Sequence, residues 1–152
     1  MTSIKSNFSS NLQQLRTTKG ILPKDLSNQT GIREETLSYY EFGIRLPKSI
    51  DNLLKISEKL QVSTDYLLKK DTSVKFISMG ANVNFNKANF ANKLRNRRKS
   101  FPYTQQEIAE LANMDVRTYQ YYESNNVKRK PSCEYLVQLS IALKISIEEL
   151  IK

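Results

Sequence analysis

The side chains that could carry out chemistry in this sequence are few. It has no histidine, and Cys133 is the only cysteine, which excludes His/Cys zinc sites and Ser–His or Cys–His catalytic sets. Carboxylates remain, but no cluster of Asp and Glu has metal-ligand spacing. The four glycines form no Gly-rich phosphate loop. The sequence therefore predicts a protein that is not an enzyme and that uses no metal or cofactor.

The other chemically distinctive groups are cations. Lys and Arg number 24 against 15 Asp and Glu, which gives a formal charge of +9 and a pI of about 9.6. Basic residues concentrate in two runs, 93–99 and 128–130. A basic protein of this kind suits a polyanionic partner. Charge alone is explained equally well by a generally basic, solvated surface with no such partner.

The N-terminal segment, the single cysteine and the length of the apolar runs predict the location of the protein. The segment MTSIKSNFSS has no apolar core of a signal peptide. A single cysteine cannot form an intramolecular disulfide, which is typical of a reducing compartment. No apolar run approaches the ~20 residues that span a bilayer. We expect a cytoplasmic protein without a membrane partner.

The chain contains an internal repeat. The tripeptide Tyr-Tyr-Glu occurs at 39–41 and again at 121–123. Residues 8–41 align with residues 90–123 without a gap, and the match resumes after a loop of changed length. Matches on both sides of a changed loop indicate a duplicated domain.

We predict two domains, 1–70 and 89–152, joined by a linker at 71–88. Each domain should be small, and a domain of roughly 65 residues needs a dense apolar pattern to fold without disulfides. Within the linker, the segment VKFISM has the β-branched and aromatic content of a short strand.

The pattern of each repeat predicts five short helices, so the fold class is all-α. Thr104 is a good N-cap, and Glu107 three residues later completes a capping box. Asn113 stands where the first repeat has Gly31, and both residue types suit a helix end with positive φ. Asp115 then caps a third helix. Two helices joined by such a turn have the helix-turn-helix layout.

These segments resemble a known family. The second repeat reads TQQEIAELANMDVRTYQYYE, and the first carries EFGIRLPKS and LQVSTDYLL. They are similar to the Cro/CI-type, lambda-repressor-like (XRE) helix-turn-helix domains. The resemblance implies two tandem five-helix domains that bind double-stranded DNA. It also implies salt bridges between the first and third helices, Arg16 with Glu41 and Arg98 with Glu123.

The resemblance implies roles for the third helix of the second repeat, placed in a major groove. Arg117 can bond guanine O6 and N7, Gln120 can pair with adenine, and Val116 can touch a thymine methyl. Gln105 matches a family position that contacts a phosphate or an orienting side chain, and the loop at 128–130 matches one that holds phosphates. The predicted DNA-binding residues are Thr104, Gln105, Val116, Arg117, Thr118, Gln120, Tyr121, Lys128, Arg129 and Lys130.

The first repeat departs from the family where DNA contact matters. Pro23 replaces the glutamine of the second helix, and Leu22 is a poor N-cap. Glu34 and Glu35 occupy the exposed positions of the third helix, where phosphates would repel them unless cytosine amino groups face them. Two glutamates at a helix N-terminus are also explained by the helix dipole, which they complement. Whether this repeat binds DNA stays open. The residues that could still hold a DNA backbone are Lys24, Ser38, Tyr39, Arg45 and Lys48.

Two functions follow as hypotheses. The first is a sequence-specific DNA-binding transcriptional regulator, a repressor or autoregulator of phage or mobile-element type, whose tandem repeats cover two half-sites. The second is an interaction module (an antitoxin, an anti-defence protein or an inhibitor) whose first repeat binds protein instead of DNA. A homodimer is compatible with either.

Overall fold

The computed structural model describes residues 3–48, 50–69, 85–124 and 128–151. These residues form α-helices and connecting turns, with no β-strand among them, so the predicted all-α fold class is confirmed. The chain divides into two compact units, Met1–Val83 and Asn84–Lys152. The predicted strand in VKFISM lies outside the described residues. The domain limits 1–70 and 89–152 stay a prediction.

Each unit contains five helices in its described part. The first unit has α1 (Ile4–Thr18), α2 (Pro23–Thr30), α3 (Glu34–Glu41), α4 (Ile50–Leu60) and α5 (Thr64–Leu68). The second unit has α6 (Lys87–Lys99), α7 (Gln105–Leu111), α8 (Val116–Glu123), α9 (Cys133–Leu143) and α10 (Ile147–Ile151). None of these helices is both long and apolar enough to cross a bilayer.

Each unit has its own apolar core, built from matching positions. Phe8 in α1 and Phe90 in α6 are completely buried. Their rings contact the second tyrosine of each Tyr-Tyr-Glu edge-on, Phe8 with Tyr40 at 5.7 Å and Phe90 with Tyr122 at 6.1 Å. Edge-on aromatic pairs add to the stabilisation from burial. The repeated tyrosine therefore anchors the third helix of each unit to the first helix.

The ends of α2 and α7 show how the two copies differ locally. Thr104 and Glu107 form the predicted capping box at the start of α7. Leu22 supplies no side-chain cap to α2, whose first residue is Pro23. Proline suits this position because its missing N–H would have no partner in the helix. The first copy therefore starts its second helix without the hydrogen bonds that the second copy has.

The turns between the two motif helices have the predicted backbone. Gly31 has φ 73° and Asn113 has φ 53°, both in the left-handed region. The sequence did not predict that the fourth helices also end this way, at Gln61 (φ 56°) and Lys144 (φ 51°). A buried serine secures each of these ends. The Ser57 hydroxyl donates to the Val62 carbonyl and the Ser140 hydroxyl to the Ile145 carbonyl, both at 2.5 Å. Surrounding hydrogen bonds thus hold a non-glycine residue in a strained conformation.

We expect Lys144→Gly to stabilise the second unit by roughly 0.5–1 kcal/mol, because glycine adopts positive φ without a Cβ penalty. Gly31→Ala provides the opposite control. A Cβ there would meet no atom within 4 Å, so its cost comes from the backbone alone. Urea unfolding of the full chain, followed by NMR signals of each unit, measures both changes. A neutral or destabilising Lys144→Gly would contradict this account.

Candidate nucleic-acid interface

Helix α8 presents one face to the core and one to solvent. Tyr119 and Tyr122 are buried, and α8 packs against both α6 and α7. On the other side Arg117 and Gln120 are exposed, while Val116, Thr118 and Tyr121 are partly exposed. The Asp115 side chain accepts the Arg117 N–H at 2.8 Å and so caps the helix. The structure therefore places the predicted base-reading side chains together on an open surface.

The carboxylate of Glu123 is the centre of the hydrogen-bond network behind this surface. Arg98 donates to it through Nε at 2.6 Å and through Nη2 at 3.2 Å. The Tyr119 hydroxyl donates at 2.6 Å and Gln105 Nε2 at 2.8 Å. Burial by itself would raise the pKa of Glu123. The hydrogen bonds from Arg98, Tyr119 and Gln105 outweigh burial and hold that pKa below its ordinary value.

Gln105 connects the buried Glu123 to the exposed face of α8. Its Nε2 donates to Glu123, so its Oε1 faces outward and accepts from Gln120 Nε2 at 3.3 Å. The Gln105 amide cannot flip without setting its oxygen against a carboxylate. The second N–H and the Oε1 of Gln120 can still pair with an adenine edge. Gln105 thus links the buried Glu123 to the exposed Gln120, and its part in DNA binding stays a prediction.

The basic loop after α8 is fixed to the helix through its backbone. The Tyr121 hydroxyl accepts the N–H groups of Lys128 at 2.6 Å and Arg129 at 2.8 Å. Lys87 Nζ donates to the Lys128 carbonyl at 2.8 Å. Lys128, Arg129 and Lys130 are exposed. The sequence predicted Tyr121 as a DNA contact, but it gave no sign that the Tyr121 hydroxyl binds the backbone of the loop.

The other basic run, on α6, has a structural role that its charges did not reveal. Arg95 donates to the Glu123 carbonyl at 2.6 Å. Arg97 donates to the Leu143 and Lys144 carbonyls, both at 2.9 Å, at the end of α9. With Arg98 bound to Glu123, three arginines of this run hold helices of the unit together. These three arginines therefore stabilise the unit, whatever their charges also contribute to binding.

The first unit has the same ion pair, but its glutamate, Glu41, has fewer hydrogen-bond partners than Glu123. Arg16 binds Glu41 through Nε and through Nη2 at 3.0 Å. Leu37 stands where the second unit has Tyr119, and Pro23 stands where it has Gln105. Neither of these side chains has a hydrogen to donate. Glu41 therefore lacks both of the neutral donors that surround Glu123, and no glutamine links it to the surface.

The exposed side of α3 also differs from that of α8. Glu34 and Glu35 are exposed, as the sequence predicts. The Tyr39 hydroxyl donates to Glu35 at 2.8 Å, and the Ser38 hydroxyl donates to the Glu34 carbonyl at 3.1 Å. The Arg45 guanidinium lies over the Tyr39 ring, 4.7 Å from its centre. Lys24 and Lys48 are exposed.

Among the residues of the first unit that the structure describes, three large apolar side chains are exposed. Leu22 is 63% exposed, Phe42 76% and Ile44 56%. Arg16 donates to the Ile21 carbonyl at 2.8 Å and also binds Glu41, so one guanidinium links the residues just before Leu22 and Phe42. At the positions of Leu22 and Phe42 the second unit has Thr104 and Ser124. The first copy is thus apolar where the second copy is polar.

The comparison with known families agrees with this geometry. A family model described as "Helix-turn-helix" matches the chain twice, over residues 12–67 and 94–150. The chain belongs to this helix-turn-helix family. The predicted resemblance to Cro/CI-type (XRE) domains in two tandem copies is confirmed.

One similar protein is the uncharacterized HTH-type transcriptional regulator YqaE of Bacillus subtilis (strain 168), 37% identical over 68 residues. The match covers 45% of this chain and 58% of the relative, so the chain spans less than two thirds of the relative's length. No solved structure gave a significant match.

The single cysteine offers no reactive thiol. Cys133 is completely buried at the start of α9. Burial raises the pKa of its thiol to about 12, so the group stays protonated near neutral pH. Within the described ranges, no three His, Cys, Asp or Glu side chains are placed to hold a metal ion.

We expect the free energy of unfolding of the second unit to fall as the pH drops below about 4.5. The pKa of Glu123 lies below its ordinary 4.5 in the folded protein. The unfolded chain therefore takes up protons first, and the stabilisation present above pH 4.5 is lost on acidification. Urea titrations of the full chain at pH 3–7, followed by NMR signals of α8, measure this slope.

The control for this prediction is Glu123→Gln, which has no group to titrate at that position. It should be less stable at pH 7, because Arg98 loses its charged partner. Its unfolding free energy should also depend less on pH between 3 and 5. A slope equal to that of the wild type would show that other carboxylates cause the acid sensitivity.

Proposed function

We propose that the protein is a sequence-specific, double-stranded DNA-binding transcriptional regulator that acts as a repressor or autoregulator of phage or mobile-element type. The observation that carries the proposal is the chain of contacts from Glu123 through Gln105 to Gln120, which presents an oriented amide on the exposed face of α8. Membership of the helix-turn-helix family and the name of the Bacillus relative support it.

The exposed groups of the second unit divide into those that suit bases and those that suit phosphates. Arg117 and Gln120 have the donor and acceptor patterns that match guanine and adenine edges. Lys128 and Arg129 are cations on a fixed loop beside α8, where they can neutralise phosphates of the same duplex. Phosphate neutralisation makes binding strongly salt-dependent, whereas base contacts set the sequence preference.

We expect Arg117→Ala to weaken binding to the selected operator by ~1–3 kcal/mol and to relax the preference at one base pair. Lys128→Ala should instead weaken operator and random duplexes equally and reduce the dependence of affinity on salt. In vitro selection with the full chain, followed by titrations at several salt concentrations, provides both measurements. An equal loss on both duplexes for Arg117→Ala would assign this residue to the backbone.

A second candidate function concerns the first unit, and the exposed Leu22, Phe42 and Ile44 favour it. Large apolar groups at these positions cost solvation free energy unless another surface covers them. In the same unit, the acidic Glu34 and Glu35 in the first turn of α3 would face phosphates unfavourably. We propose that this unit binds protein, either a second copy of the chain or another partner, and does not read bases. The regulatory function of the second unit does not depend on this role.

We expect Lys24→Ala and Lys48→Ala to leave operator affinity within about twofold of the wild type, a change smaller than one phosphate contact contributes. Lys128→Ala and Arg129→Ala, which remove the same kind of charge from the second unit, serve as matched comparisons. Gel-shift titrations of the full chain measure all four variants. Equal losses in both units would show that the first unit also contacts the DNA backbone.

A further inference from the structure

Two hydrogen bonds hold the hydroxyl oxygen of Tyr121 in place, and the hydroxyl donates its own proton to no described residue. We propose that its hydroxyl donates a hydrogen bond to one backbone phosphate of the bound duplex, in the cavity that Arg129 lines. This inference rests on the proposed function, because the phosphate is taken to be that of DNA. It assigns to Tyr121 a direct phosphate contact in addition to its hold on the loop.

The hydrogen bonds that the Tyr121 hydroxyl already forms determine which further hydrogen bonds it can form. A tyrosine oxygen has two lone pairs and one proton. The N–H groups of Lys128 and Arg129 occupy the lone-pair side, at 2.6 and 2.8 Å. The hydroxyl therefore has no remaining capacity to accept from a base amino group. Its own proton is the group left for a ligand, and a proton donor suits an anion.

The two backbone N–H groups also strengthen the hydroxyl as a donor. The hydrogen bond from the Arg129 N–H lowers the pKa of Tyr121. Burial opposes this effect, and the Lys128 N–H acts in the same direction as the Arg129 N–H. The charges of Arg129 and Lys87 add to this effect. A more acidic O–H forms a stronger hydrogen bond to an anionic acceptor.

The surroundings of the hydroxyl suit a phosphate oxygen. Arg117, Thr118, Tyr121, Tyr122 and Arg129 line a cavity of about 390 Å³ in the second unit. Two of these lining residues are arginines, and Thr118 is a further residue with a hydroxyl. Arginine binds phosphate through several N–H donors. Four of these lining residues belong to α8, the helix that the proposed duplex meets.

The corresponding tyrosine of the first unit shows that this arrangement is not a general property of the repeat. Tyr39 has the place of Tyr121 in the Tyr-Tyr-Glu tripeptide, but its proton is donated to Glu35. That hydrogen bond raises the pKa of Tyr39. A hydroxyl committed to a carboxylate offers no proton to a phosphate. Tyr39 is therefore a natural control for Tyr121.

The test is a double-mutant cycle between the protein hydroxyl and single phosphates of the operator. Wild type and Tyr121→Phe, as full chains, are titrated with the selected duplex and with duplexes in which one phosphate at a time is replaced by methylphosphonate. We expect Tyr121→Phe to weaken operator binding by about tenfold. At one phosphate the methylphosphonate should cost the variant much less than it costs the wild type. Tyr39→Phe should bind every duplex as the wild type does.

Two outcomes would overturn the inference, and they can be told apart. If the losses from Tyr121→Phe and from methylphosphonate add at every position, the hydroxyl only holds the loop, and the proposed function is unaffected. If the wild type binds no duplex above background, the proposed function fails together with the inference. NMR signals of the Lys128 and Arg129 amides in both proteins report whether the loop keeps its position without the hydroxyl.

Discussion

The structure of the second unit depends on the buried ion pair between Arg98 and Glu123. The Glu123 side chain is only 3% exposed, and a buried carboxylate is costly unless several donors surround it. Arg98, Tyr119 and Gln105 supply those donors from α6, α8 and α7. A single carboxylate therefore fixes the mutual positions of three helices. Because α8 is one of them, the surface that faces solvent is set by a contact in the interior.

The two copies show what happens when part of this network is lost. Glu41 keeps its arginine, and the helix-turn-helix geometry of the first unit persists with it. The replacement of Gln105 by Pro23 and of Tyr119 by Leu37 removes the neutral donors. The first replacement also removes the side chain that orients a surface residue. The repeat thus keeps its fold without the two neutral donors, while the link from the carboxylate to an exposed side chain is present only in the second unit.

The sequence predicted the architecture well because local rules dominate in short helices. Capping by Thr104 and Asp115, the turn at Asn113 and the apolar positions of α1 and α6 follow from residue type and spacing. The left-handed ends at Gln61 and Lys144 could not be predicted this way, since tertiary hydrogen bonds impose them on residues without a preference for that backbone. The partners of Arg95 and Arg97 were missed for a similar reason. Carbonyls at helix ends accept from any nearby guanidinium, and the charge pattern records only the cation.

The tripeptide Tyr-Tyr-Glu shows where the limit of such prediction lies. In both copies its second tyrosine packs edge-on against a phenylalanine of the first helix, and its glutamate pairs with an arginine of that helix, because these two contacts are duplicated with the fold. The first tyrosine lies at the surface, where neighbours outside the tripeptide decide its role. Beside Glu35 the hydroxyl of Tyr39 is a committed donor, and beside the loop N–H groups the hydroxyl of Tyr121 is an acceptor. Identical residues at matching positions of the two repeats thus acquire opposite hydrogen-bond roles, because the neighbours that they meet differ.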